Sequence, residues 1–430
     1  TSLEFIQCVN WFEATFNADI IVDDIGFLDE PYFEDGIVAQ TVKSAVDAGI
    51  FYTSAAGNTA ERHYQDDFLL DGSGSGFHDF GTRSGGVADI YADFIIPPGE
   101  TLALALQWSE PFGGACSDYN LVLYGQFMNI LDISMNLQNC SEDPFEVVWY
   151  TNPSMFTSVP ASIVIVKDSG NDATLEMFYT LEPEEYNVPE DSVFGHSAVR
   201  GVMAAGAIAY SDPGNDDINT YSSRGPATIV FPAPDIRDKP DITAIDGVSV
   251  TGAGGFPTNF FGTSASAPHV AAIAALLMSA DPSATATGVS DAIKNSAVDL
   301  GSAGPDFTYG FGRIDALAAL YELVGCVGNG VDSDSDGVDD NCDNCSAKSN
   351  ATQIDTDGDG HGNACDADFQ NNCLTNIFDL FAFKANFAGT DQEYDLNSTG
   401  GAVQVNIFDL FIFKGLFGSP PGPSAAGLCP

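Results

Sequence analysis

Leu102, Leu104, Leu106 and Trp108 alternate with Ala103, Ala105 and Gln107, a period of two that predicts a strand with one buried face. FEVVWY (145–150), SIVIVK (162–167) and LEMFYTL (175–181) predict further strands, so residues from about 87 to 182 read as an all-β insertion, a sandwich. The rhythm before it is different. DIIVDDI (19–25) is an apolar strand ending in acids. Asp35 opens a helix with Ile37, Val38, Val42, Ala45 and Val46 on one side, and Gly49 stops it. IFYTS (50–54) is the next strand, followed by the tight AAGN (55–58). A helix between two short apolar strands is the crossover of a parallel sheet.

Helical and α/β character returns after about residue 186, with AVRGVMAAGAIAY (198–210), YSSRGP (221–226), KPDITA (239–244) and a helix from about Ser264 to Ala280. One more helix closes the region within 304–323. The chain then turns Asp- and Asn-rich and ends in an internal repeat, NIFDLFAFK (376–384) and NIFDLFIFK (406–414), before a Pro-rich tail. The expected units are a two-part α/β core (1–70 and 186–325), the β insertion (71–185, opening on a Gly- and Ser-rich stretch at 71–86), an acidic segment (326–366), the Phe-rich repeat (367–419) and a tail (420–430).

Charge narrows the function classes. The 61 Asp and Glu against 13 Lys and Arg give a formal net charge of −48. That excludes the basic footprint of a nucleic-acid binder and opposes docking on an anionic membrane. No run of 18 apolar residues is present, so no membrane span is expected. The chain opens Thr-Ser-Leu-Glu-Phe, without Met or a signal-peptide pattern, and reads as a piece of a longer precursor. Of the nine cysteines, Cys8 stands alone, Cys116 and Cys140 lie together in the insertion, and Cys326, Cys342, Cys345, Cys365, Cys373 and Cys429 crowd the last quarter. Eight can pair, leaving Cys8 free, and a local Cys116–Cys140 disulfide is reasonable. The Asp-rich surroundings point to calcium and an oxidising compartment rather than to zinc.

GTSASAPHVAAIAALL (262–277) carries the chemistry. A Gly-Thr loop delivers Ser264 to the start of a helix, with Pro268 in the first turn. The helix is apolar nearly all round and so expected to be buried. The Ser264 N–H then points out of a buried helix N-terminus, a natural oxyanion site. The plainer reading of such a Ser is an N-cap on a core helix.

The surrounding string resembles the nucleophile motif of the subtilisin-like serine peptidases (subtilases). SAAGN (54–58) resembles their oxyanion-hole Asn motif, and YSSRGP and KPDI two further landmarks, all in the family's order. The resemblance implies Ser264 as nucleophile and Asn58 as the side-chain donor to the tetrahedral oxyanion. It also implies a triad Asp and His, both preceding the Asn motif, and no His precedes Asn58 here. Either the part bearing them is missing, so that this chain alone is inactive, or the chain is a catalytically dead relative. His269 matches a packing position of the motif, and His63 follows it in AERHY. Asp23 and Asp24 end the first strand where the family lines its substrate cleft. They read either as an exposed acidic strand end or as a preference for basic or polar peptide side chains.

In the acidic segment Asp332, Asp334, Asp336 and Asp343 occupy positions 1, 3, 5 and 12 of one loop, and Asp355, Asp357, Asp359 and Asp366 repeat the spacing. Gly337 and Gly360 take position 6, where a sharp turn is needed. This is the oxygen-rich grammar of an EF-hand-like calcium loop. The segment resembles thrombospondin type 3 repeats, including Cys345 and Cys365. The Phe-rich repeat resembles a dockerin pair. Asp368, Gln370, Asn372, Asn376 and Asp379 take its loop positions in the first copy, with Cys373 in place of the turn Gly. Asp395, Asn397, Thr399, Asn406 and Asp409 serve the second copy, with three extra residues. The dockerin likeness implies a docked protein partner.

The resulting expectation is a secreted, extracellular serine endopeptidase on a doubly wound parallel α/β sheet. It hydrolyses peptide or protein substrates through an acyl-enzyme on Ser264 and carries calcium-stapled repeats. The alternative is a non-catalytic extracellular protein on a degenerate subtilase scaffold, binding through its calcium modules.

Overall fold

The computed structural model describes residues 1–83, 87–325, 331–397 and 403–425. Cys326, Thr399, Cys429 and the last three residues of the Gly- and Ser-rich stretch lie outside them. The chain forms two units, Thr1–Leu323 and Val324–Pro430.

In the first unit, strands Ile20–Asp23, Phe51–Ala55, Met203–Ala209 and Ile242–Asp246 form one sheet in that order, all parallel. Their short apolar runs are buried because helices cover both faces. Helix Ile37–Asp47 packs Ala39, Val42 and Ala45 with Ile21 and Tyr52 on one side. On the other, helix Thr263–Ala280 packs Ala267, Val270, Ala274 and Leu277 against Phe51, Met203, Ala205 and Ile242, with Val289 and Ala319 from two later helices. That is the expected α/β layering, with one correction. Helix Thr263–Ala280 is buried on one side only: Ala272 and Ala275 are exposed, and Leu276 is 66% exposed. The sheet can cover only one face of a helix, and the small Ala residues leave the other tolerable in water. By length and composition this helix would suffice to cross a membrane; in the fold it is the central core helix. Helix Ala286–Asn295, which the sequence reading did not separate, packs beside it.

The insertion is a sandwich of two four-stranded antiparallel sheets. One has the order Phe145–Thr151, Thr101–Trp108, Thr174–Tyr179, His63–Asp67, and the other Ala92–Ile96, Val159–Ser169, Asp118–Gly125, Ile130–Ser134. Leu102, Leu104, Leu106 and Trp108 are fully buried between them, as the period of two predicts. The sandwich opens earlier than the Gly- and Ser-rich stretch suggests, since His63–Asp67 is already one of its edge strands. The Cys116–Cys140 disulfide forms inside it, and Cys8 is free and exposed. Gln107 faces away from the sandwich core yet is fully buried, because it accepts from Tyr32 N (3.0 Å) and donates to Glu30 O (2.8 Å). The sandwich thus grips the loop after the first parallel strand.

The second unit has little apolar core. Helices Ile377–Asn386 and Ile407–Leu416 pack Phe383 on Phe413, with Ala367, Leu396 and Val405. Among the described residues, the apolar cluster of the loops before them is small, made of Cys345, Ala364 and Cys365. Cys345 and Cys365 form a disulfide with each other, and Cys342 and Cys373 each take part in a further one. The tail packs back on the loops: Gly422 N donates to Cys365 O (3.0 Å) and Ala425 N to Asp343 O (2.9 Å).

Candidate functional site

The carboxyl ends of parallel strands are where an open α/β sheet leaves a crevice, and three of the four motif segments, around Asn58, Ser223 and Ser264, meet there. Helix Thr263–Ala280 begins one residue before Ser264, which puts Ser264 in its first turn with an N–H that has no intrahelical partner. Pro268 lies in the second turn rather than the first; lacking an N–H, it cannot bond the Ser264 carbonyl four residues back. Gly262, at φ +101°, makes the turn into the helix, and its N–H donates to Asp246 Oδ2 (2.6 Å) at the end of the fourth sheet strand. A Cβ there would stand 3.0 Å from Asn58 Nδ2.

Asn58 is oriented by its carbonyl end. Oδ1 accepts from Thr263 N (2.9 Å) and Thr263 Oγ1 (3.1 Å), which turns Nδ2 the other way. The loop that carries it is pinned twice more: Gly57 N donates to Thr263 Oγ1 (3.2 Å), and Ser223 N donates to Gly57 O (2.9 Å). YSSRGP therefore acts as a brace for the Asn58 loop. KPDI is internal scaffolding, where buried Asp241 accepts from Lys239 (2.7 Å) and Lys294 (2.6 Å).

A cleft of about 350 Å³ opens beside these groups. Asp24, Ile25 and Gly26 form one side, Ala55–Thr59 and Ser264 another, and Tyr179 and Thr180 of the sandwich a third. The two strand-end acids divide. Asp24 is exposed and lines the cleft together with Ser264. Loss of surrounding water, then the Asp23 charge, push its carboxyl above the usual range. Asp23 turns inward, corrected from an exposed strand end. It accepts from Ser54 Oγ (2.7 Å) and from His196 Nε2 (3.2 Å). His196 Nδ1 donates to Glu30 Oε1 (2.7 Å), and its backbone N–H to Glu30 Oε2 (2.9 Å). Burial alone would lower the imidazole, but the two carboxylates outweigh it and raise it to about 10, so the ring is a buried cation. Neither His196 nor Glu30 carries a local sequence signal; they are 166 residues apart.

His196 is the histidine among the cleft's lining residues, and both its ring nitrogens are bonded; the others lie outside that lining. His63 is bonded within the sandwich region to Val188 O and Glu176, His78 to Tyr64, and His269 to Ala265 O one turn back on its helix.

In the second unit the acidic loops repeat in three dimensions. Asp332 accepts from Ser335 N (2.7 Å) and Gly337 N (3.0 Å), and Asp355 from Gly358 N (2.8 Å) and Gly360 N (2.9 Å). Gly337 (φ +96°) and Gly360 (φ +88°) make the turn their position demands. The carboxylates of Asp332, Asp334 and Asp336 gather within 4.8 Å of one another, as do those of Asp355, Asp357 and Asp359. Asp334 Oδ2 and Asp343 Oδ2 are buried without partners. Burial, with Asp359, Asp357 and Asp368 nearby, pushes Asp366 up to about 8. In the third loop Cys373 takes φ +62°, adopting the turn expected of Gly, and Asp368 Oδ1 and Asp379 Oδ1 are buried and unpartnered. In the last copy Asp409 accepts from Asn397 N (2.8 Å) and Asn406 N (2.6 Å).

The first unit has a subtilase-like α/β fold. The subtilase family model matches residues 124–312, and the thrombospondin type 3 repeat model matches 326–353 and 354–388. An extracellular serine protease of Serratia marcescens is 45% identical over 62 residues, 14% of this chain and 6% of that protein. Subtilisin-like protease SBT4.13 of Arabidopsis thaliana is 37% identical over 129 residues, 25% of this chain and 17% of that one. The chain thus spans a small part of these relatives' length. The CspB protease of Clostridium perfringens superposes with a TM-score of 0.53 at 15% identity, over 75% of this chain and 71% of that structure.

Proposed function

We propose that this chain is the nucleophile-bearing part of a secreted serine endopeptidase, with Ser264 forming the acyl-enzyme. The observation that carries it is the mutual fixing of Asn58 and the Ser264 turn through Thr263. Asn58 and Ser264 both line the cleft, and a helix-start N–H with the Asn58 amide would be two donors for a tetrahedral oxyanion. With no histidine base in the cleft, the chain alone turns over peptides slowly at best. The acidic loops hold calcium: the gathered carboxylates, their unpartnered buried oxygens and the raised Asp366 suit a hard cation. Asp332, Asp334, Asp336 and Asp343 would serve one site, Asp355, Asp357, Asp359 and Asp366 the second, and Asp368 and Asp379 a third. The ion would supply cross-linking between loop segments in place of a core. The exposed Phe378, Phe381, Phe408 and Phe411 of the dockerin-like helices are a surface for a protein partner.

A peptidyl boronic acid tests the site without requiring turnover. It is expected to form a tetrahedral adduct on Ser264. Ser264→Ala should abolish adduct formation, and Asn58→Ala should weaken it on the order of 10²-fold, the scale of one lost oxyanion donor. Equal binding to wild type and Ser264→Ala, by calorimetry, would leave the non-catalytic scaffold as the better description.

A further inference from the structure

We propose that Asp246 is a positioning residue for the Ser264 turn, a buried carboxylate that fixes the Gly262 N–H and through it the groups offered to an oxyanion. This rests on the serine-peptidase reading above. Asp246 ends the strand Ile242–Asp246 and is fully buried. Its oxygens accept from three donors that two separate segments bring in. Asn219 Nδ2 donates to Oδ1 (2.9 Å), while the Tyr221 hydroxyl and Gly262 N (2.6 Å) both donate to Oδ2. The donors also close on one another: Gly262 N reaches the Tyr221 oxygen at 3.2 Å, and Asn219 Nδ2 reaches it at 2.9 Å. Burial, then the bond to Asp246, push the Tyr221 phenol up, so it stays protonated and keeps donating. All three donors are neutral. The carboxylate sits beside Gly262, the residue that caps the start of helix Thr263–Ala280, where the helix dipole favours a negative charge.

Gly262 needs this anchor because of its backbone. At φ +101° it occupies the left-handed region, and glycine has the most conformational freedom to lose there. Thr263 follows at once and carries the contacts to the Asn58 loop. Its N–H and hydroxyl donate to Asn58 Oδ1, and its hydroxyl accepts from Gly57 N. Ser264 is next. Tyr221 belongs to the same string as Ser223, whose N–H donates to Gly57 O (2.9 Å). Asp246 thus joins the Ser264 turn and the brace of the Asn58 loop from behind.

Asp246, Asn219 and Tyr221 all lie outside the lining of the cleft. Their influence on a ligand is therefore exerted through the placement of Thr263, Ser264 and Asn58. A tetrahedral oxyanion needs its donors at about 2.7–3.1 Å. A planar peptide makes no such demand, so the two kinds of ligand separate positioning from mere support of the fold.

The test compares two ligands of one sequence on the full 430-residue chain. A peptidyl boronic acid becomes tetrahedral on Ser264, and the matching peptide amide stays planar. Asp246→Asn keeps the side-chain shape and removes the charge. It is expected to weaken the boronate on the order of 10- to 100-fold, the scale of one hydrogen bond to a charged group, and to leave the amide unchanged. Boron NMR at saturation should show part of the tetrahedral signal replaced by trigonal boron. In an Asn58→Ala background the loss should shrink, because the group being positioned is gone. Tyr221→Phe leaves Gly262 bonded to Asp246 and should weaken the boronate less, again sparing the amide; it carries the test if Asp246→Asn does not fold. Equal boronate affinities for wild type and both variants overturn the proposal. Equal weakening of boronate and amide, or a loss that adds in full to that of Asn58→Ala, also overturns it and leaves Asp246 a residue of the fold alone. Boronate that binds wild type and Ser264→Ala alike would condemn the peptidase reading itself, and this proposal with it.

Discussion

Removing calcium at pH 8 is expected to open residues 331–366 to proteolysis while the unit Thr1–Leu323 stays intact. Among the described residues, the apolar cluster of the loops is Cys345, Ala364 and Cys365, far too little to offset the conformational entropy of ordering them. On the proposed reading, carboxylates converging on a cation hold them, together with the Cys345–Cys365 disulfide. Without the cation, burial first and neighbouring carboxylates second oppose the charged forms of Asp334, Asp355, Asp359 and Asp366, and each is shifted upward. The sign of the pH effect follows. A carboxyl raised to about 8 in the fold favours folding below its ordinary value of 3.8, and that contribution is lost as pH rises toward about 8. The metal-free segment should therefore be most ordered in acid and least ordered at pH 8, and added calcium should restore protection at roughly 10⁻⁴–10⁻³ M, as in extracellular modules. Asp336→Ala and Asp359→Ala each remove a position-5 ligand and should weaken binding. Calorimetry of the full chain showing no calcium uptake well above that range would sink the reading.

The second large effect is expected at His196. Replacing it with Gln leaves Asp23 and Glu30 buried, 9% and 3% exposed, without their shared cation. Breaking one partner out of a buried charge cluster costs about 3–5 kcal/mol. Thermal unfolding of the Thr1–Leu323 unit should shift accordingly. The ordinary imidazole value of 6.5 is raised to about 10 in the fold. The cluster's contribution is thus fully present below about 6.5 and fades as pH rises through about 10. Wild type should lose stability over that window and His196→Gln should not. Parallel pH profiles for the two proteins would show that the ring is neutral in the fold.

The periodicity of residues 102–108 and the short apolar runs at 19–25 and 50–54 made the sandwich and the parallel sheet legible, because burial on one or both faces writes directly into residue type. The burial of helix Thr263–Ala280 was overstated, since composition does not say how many faces a neighbour covers. The candidate site was legible only where its parts are local strings, at Asn58 and Ser264. The Asp23–His196–Glu30 cluster is built by tertiary contact across 166 residues, and no local pattern marks it. The two adjacent acids could not be told apart in sequence; the strand pleat sends Asp23 inward and Asp24 to the cleft. Cys373 hid a turn because a non-glycine residue occupies the left-handed position there.

The sandwich lies between the two halves of the cleft, so 205 residues separate Asn58 from the Thr263 that orients it. At a synthesis rate of roughly 5–20 residues per second, that gap lasts about 10–40 s on the ribosome. During it the Asn58 loop exists without its partner, while the sandwich, whose strands all lie within the intervening stretch, has everything it needs to fold. The Ser264 turn is thus delivered to a wall already standing, and a nascent chain exposes no assembled cleft to its neighbours.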